Sequence, residues 1–126
     1  MEVNKKTHFI KEWILNYVNS MPKKAESLVI GISGGIDSSV SSTLSAMTGL
    51  KTIAISMPIK QKSDQHDLSL KHQEWLKKNF KNANGFTVEL DDLFNTFEKT
   101  LSNFNNEHGM ANSRARLRMS TLYQVA

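Results

Sequence analysis

Phe9, Ile10, Trp13, Ile14, Tyr17 and Val18 recur at spacings of three and four, which predicts an amphipathic helix ended by Met21-Pro22. The apolar run "SLVIGI" that follows does not alternate, as expected of a strand buried on both faces. Asp37 to Thr48 then suits a helix closed by Gly49, and "KTIAISM" a second buried strand stopped by Pro58. Leu68, His72, Trp75, Leu76 and Phe80 mark a third helix from Asp64 to Phe80, after which Asn84-Gly85 turns the chain into "FTVEL". Asp91 or Asp92 can cap a helix with the stripe Phe94, Phe97, Leu101 and Phe104. A looser stretch, "NNEHGMAN", precedes a last helix from about Asn112.

Helices alternating with unalternated strands predict right-handed crossovers and an α/β fold: a Rossmann-like parallel sheet with helices on both faces. Only three strands are made before "STLYQVA", so the pattern predicts a sheet truncated after three strands and a single domain, 1–126, incomplete at its C-terminus. No internal repeat, low-complexity region or linker interrupts it.

At 126 residues and 39% hydrophobic content, one domain with its own core is expected. No run reaches a membrane span and the N-terminus lacks a signal peptide's apolar core, so a soluble, cytoplasmic protein without a membrane partner is expected. The absence of cysteine excludes disulfides, thiolate metal sites and cysteine nucleophiles. A net charge of +4 discriminates poorly between polyanionic partners and plain solubility. Its distribution says more, because every arginine falls within "RARLR", Arg114 to Arg118, and permanently charged planar forks suit phosphate or carboxylate recognition.

The candidate chemistry lies in "SLVIGISGGIDSSV", Ser27 to Val40, where a buried strand turns into a helix through Ser33-Gly34-Gly35. In parallel sheets ligands bind at such strand ends. Glycines let backbone N–H groups approach an anion, and the next helix N-terminus adds free donors and a favourable dipole. No lysine follows, so the string is not a Gly-x-x-x-x-Gly-Lys-Ser/Thr loop, and countercharge must come from elsewhere. Asp37 either caps the helix or holds Mg²⁺ against the phosphates, and the whole string after a buried strand favours phosphate binding.

"GISGGIDSS" resembles the pyrophosphate-binding loop of the ATP pyrophosphatase family, whose members adenylate a substrate oxygen. "ANSRARLRMSTLYQVA" resembles the Ala-Arg-x-Arg-Met…Tyr helix of ammonia-dependent NAD synthetases, and "IAISMP" and "HQEWLKKNF" also suit that family. The resemblance implies ATP- and Mg²⁺-dependent condensation of deamido-NAD with ammonia to NAD, AMP and pyrophosphate, by an enzyme that is a homodimer when complete. It places ATP on Gly31, Ile32, Ser33, Gly34, Gly35, Ile36, Asp37 and Ser38, Mg²⁺ and a catalytic role on Asp37, and deamido-NAD on Arg116.

On a helical wheel Ala115, Met119, Leu122 and Ala126 form one stripe, with Arg114 and Arg118 flanking it and Arg116 opposite, beside Tyr123. Arg114 and Arg118 are either solvated, salt-bridged or ligand contacts. Where family members often carry an arginine toward ATP, this chain has Ser56, which leaves adenine to backbone and apolar contacts from Ile32, Ser56 and Met57. The family pattern also continues into a Gly-Thr-x-x-x-x-Glu segment and a lysine beyond residue 126, so the resemblance implies little activity from residues 1–126 alone. A stand-alone nucleotide-binding module and a tRNA-modifying ligase are the alternatives, but the arginine helix and the lack of cysteine favour the synthetase, and no nucleic-acid partner is expected. His8, His66, His72 and His108 have no metal spacing, and Trp13 and Trp75 are expected in the core.

Overall fold

A computed structural model describes residues 2–126. Helix α1 (Val3–Ser20) leads into β1 (Leu28–Ile32), α2 (Ile36–Met47), β2 (Thr52–Ser56), α3 (Ser63–Asn79), β3 (Ala83–Thr87), α4 (Asp91–Thr100), a 3-10 turn (Ser102–Phe104) and α5 (Glu107–Val125). The strands form one parallel sheet in the order β1-β2-β3, with Leu28 opposite Thr52 and Thr52 opposite Ala83. This is the α/β architecture read from the sequence. Among the described residues no helix is long and apolar enough to cross a membrane.

Every residue of the central strand β2 is buried. Because side chains alternate across a strand, Ile53, Ile55 and Met57 enter a core with Ile59, Leu90, Phe94 and Met110 on the α4/α5 side. Ala54 faces the other way and packs with Ile32, Ala46 and Leu76 from β1, α2 and α3.

Several expected boundaries move. Strand β3 begins at Ala83, so Asn84-Gly85 lies inside it. Gly85 makes room for Gln73: a Cβ there would come within 2.8 Å of Gln73 Oε1. Helix α5 starts five residues before Asn112, because Asn106 Oδ1 accepts the Gly109 N–H at 2.6 Å and caps it. No side chain caps α4; the Asp91 carboxylate accepts the Lys60 N–H at 2.6 Å instead, holding that residue at φ 49. Helix α1 buries only Val18, while Trp13 and Tyr17 each stay 58% exposed, and Trp75 is 45% exposed. The periodicity that identified α1 is genuine, yet the helix packs mainly on α2 and its aromatic face has no cover among the described residues.

Candidate functional site

β1 ends at Ile32 and α2 begins at Ile36, so the chain reverses within Ser33-Gly34-Gly35. Gly34 stands at φ 95, a left-handed conformation that side chains resist, and a Cβ there would collide with the Gln65 carbonyl oxygen. Serines hold the turn open. The Ser33 N–H donates to Ser38 Oγ at 3.1 Å, the Gly35 N–H donates to Ser33 Oγ at 3.2 Å, and the Ser39 hydroxyl donates to the Gly35 carbonyl at 2.9 Å. From the other side, Gln61 Nε2 donates to the Ser33 carbonyl at 2.7 Å. No side chain caps α2, so its leading N–H groups stay available to an anion and Asp37 stands in its first turn.

Gly31, Ile32 and Ser33 line a cavity of about 510 Å³ that also takes in Met57, Gln61 and Gln65 after β2, and Ala115, Arg118, Met119 and Leu122 of α5. A second cavity of about 620 Å³ lies between α4 and α5, lined by Phe94, Phe97, Asn112 and Arg116 among others. The arginines thus separate. Arg114 lies over the Phe94 ring, 5.6 Å from its centroid; Arg116 faces the α4/α5 cavity; Arg118 faces the loop cavity.

Arg118 is half-buried, and its Nε donates to the Met57 carbonyl at 3.0 Å. Burial, with a smaller contribution from Arg114, holds its pKa below the ordinary guanidinium value. Its placement was open in the sequence, although its position beside the Ala115–Met119–Leu122 stripe is the signal that points it at the sheet. The Ser56 side chain is turned away into α3, where it donates to Ser69 Oγ at 3.0 Å and accepts from Gln73 Nε2. Ile32 and Met57 do line the cavity.

Asp37 is exposed and makes no ion pair among the described residues, which also contain no cluster of three or more acids and histidines. A lone carboxylate beside free backbone donors does not make a protein cage for a cation. It does fit Mg²⁺, which keeps most of its waters and is commonly shared between one or two carboxylates and substrate phosphates.

The sequence model of NAD synthase matches residues 6–126. The chain belongs to the NAD synthase family. Among solved structures, an NMN synthetase from Francisella tularensis is 30% identical with a TM-score of 0.87, aligned over 100% of this chain and 50% of its own. An NH3-dependent NAD synthetase from Campylobacter jejuni is 27% identical with a TM-score of 0.83, over 99% of this chain and 52% of its own. A glutamine-dependent NAD+ synthetase from Acinetobacter baumannii, 20% identical with a TM-score of 0.68 over 92% of this chain and 21% of its own, shares the fold. No curated protein sequence matches. Residues 1–126 therefore span about half the length of the first two of these proteins. ATP use goes with the family.

Proposed function

We propose that this chain carries the nucleotide-binding part of an ammonia-dependent NAD synthetase, which adenylates the carboxylate of deamido-NAD with ATP and replaces AMP by ammonia. The observation that carries the reading is the glycine turn, with the free N–H groups of α2 beside a cavity large enough for a nucleoside, in a chain of the NAD synthase family. The substrate carboxylate oxygen attacks the α-phosphorus of ATP, the bond to the β-phosphate oxygen breaks, and pyrophosphate leaves. Nitrogen then attacks the acyl carbon, AMP departs, and the nitrogen sheds a proton to leave the amide.

In the first step negative charge grows on the leaving pyrophosphate. The N–H groups at the start of α2 are fixed donors for that charge, and the Ser33 and Ser38 hydroxyls hold the turn that presents them. Mg²⁺ held by Asp37 would supply further charge neutralisation on the phosphates. Ile32 and Met57 flank the nucleoside, and Arg116, in the α4/α5 cavity, binds deamido-NAD. A homodimer and a cytoplasmic location belong to the same proposal, which is made for a protein of the synthetases' full extent.

The likeness to an NMN synthetase favours a second reading, in which the amidated substrate is the nicotinate mononucleotide. Relative kcat/KM for the two carboxylates in the full-length protein decides between them. For the loop itself, calorimetry on residues 1–126 should detect weak binding of Mg–pyrophosphate and Mg–ATP, reduced in Asp37→Ala. Undiminished binding in that variant would remove the metal role, and no binding to the unaltered chain would remove the loop assignment.

A further inference from the structure

We propose that Gln61 is a positioning residue for anion binding: its side-chain amide locks the Ser33–Gly34 peptide in the orientation that aims the Gly34 N–H at a phosphate oxygen. This role rests on pyrophosphate binding at the glycine turn. Of the three N–H groups in that turn, the Ser33 N–H goes to Ser38 Oγ and the Gly35 N–H to Ser33 Oγ, while the Gly34 N–H makes no hydrogen bond among the described residues. The free donor is the one at the centre of the turn.

A trans peptide points its N–H and its carbonyl in opposite directions, and none of the described peptide bonds is cis. Fixing the Ser33 carbonyl therefore fixes where the Gly34 N–H points. A lock is needed because residue 34 is glycine, for which both signs of φ are accessible. Swinging its φ from 95 to a negative value, with a matching rotation about ψ of Ser33, turns the peptide over and puts a carbonyl oxygen where the N–H had been. Gln61 Nε2, donating to the Ser33 carbonyl at 2.7 Å, opposes that rotation, and no other group among the described residues donates to this oxygen.

Gln61 can serve as a lock because it is itself held. Lys60, just before it, stands at φ 49, with its N–H on the Asp91 carboxylate at 2.6 Å and its Nζ paired with Glu98, seven residues further along α4. A side chain other than glycine's takes up a left-handed backbone only where its surroundings impose it. Here two carboxylates two turns apart on α4 do so, and the Leu90 N–H on the Pro58 carbonyl at 3.2 Å ties down the same segment where it leaves β2.

The test is Gln61→Met, which keeps the length of the side chain and removes the donor, with Gln61→Ala in parallel so that a readout survives if one variant misfolds. Mg–pyrophosphate and Mg–ATP binding to residues 1–126 are measured by calorimetry, and the Gly34 amide resonance is followed in nitrogen-15-labelled protein. Loss of one neutral hydrogen bond that holds the turn should weaken both ligands in parallel, by about three- to tenfold, with the denaturant midpoint unchanged. The Gly34 resonance should be displaced in the ligand-free variant while those along α2 stay in place. Weakening of ATP alone would make Gln61 a contact of the nucleoside and overturn the proposal. Unchanged affinity for both ligands, or a Gly34 resonance that does not move, would overturn it equally. Failure of the unaltered chain to bind pyrophosphate would instead sink the loop reading on which this one depends.

Discussion

At Gly34 two independent constraints meet: a left-handed backbone and a neighbouring carbonyl where a side chain would start. Gly49 separates them, since it has φ 82 but nothing within 4 Å of an added Cβ. Gly49→Ala should therefore cost only the backbone term, about 1–2 kcal/mol. Gly34→Ala should cost more and also abolish pyrophosphate binding, because the chain must shift away from Gln65 and take the loop donors with it. Denaturant unfolding and pyrophosphate titration of both variants check this, and equal costs with binding retained at Gly34→Ala would contradict it. The glycine turn was legible in the sequence because its chemistry is local: glycines, serines and an acid at a strand-to-helix junction. Gln61 and Gln65 were not, since their contacts with Ser33 and Gly34 depend on the path taken between β2 and α3. The direction of the Ser56 side chain was not legible either, as nothing in a short buried strand says which face a serine takes until the register is known.

Among the elements, α2 carries the loop and α3 steadies it. His72 of α3 bonds through Nε2 to Ser42 Oγ at 2.8 Å, and its ring stacks on Trp75. Burial lowers the His72 pKa below the usual imidazole value of 6.5, outweighing the opposing hydrogen bond to the Ser39 backbone. A depressed histidine disfavours protonation in the folded state. Its stabilising contribution is complete above about pH 6.5, the unfolded value, and is lost as pH falls through the lower folded value. The denaturant midpoint should therefore drop between pH 7.5 and 5.5, and drop less in His72→Gln; identical pH dependence in the two proteins would refute the coupling. Helices were legible from their period of about 3.6, and the strands from short apolar runs without alternation, because a strand covered on both faces buries every position. Boundaries were not: Asn84-Gly85 reads as a turn, and only the Gln73 side chain lying against Gly85, while donating to the Phe86 carbonyl at 2.9 Å, explains a glycine within β3.

For the whole molecule the accessible surface is 8750 Å². A compact monomer of 14.2 kDa should expose about 6,800 Å². The excess, roughly 2,000 Å² on one chain, is more than twice the roughly 800 Å² that each partner buries in a standard protein interface. It is not spread evenly. Phe9, Trp13 and Tyr17 stand along one side of α1, β1 is an edge strand, and Met119 and Tyr123 are exposed on α5, which packs beside β1. An unpaired edge next to apolar side chains is a surface that native proteins cover. Residues 1–126 on their own should accordingly self-associate at tens of micromolar, an order-of-magnitude expectation for an apolar contact of this size. Placing a charge on the most exposed aromatic stripe, in Phe9→Glu/Trp13→Lys, should shift sedimentation toward monomer without disturbing the core, since neither side chain belongs to the two buried clusters. If the unaltered chain sediments as a monomer across that range and unfolds cooperatively, the uncovered surface is tolerated and the argument from area fails. Association that the double variant leaves unchanged would move the contact from α1 to the β1 edge and the face of α5 beside it.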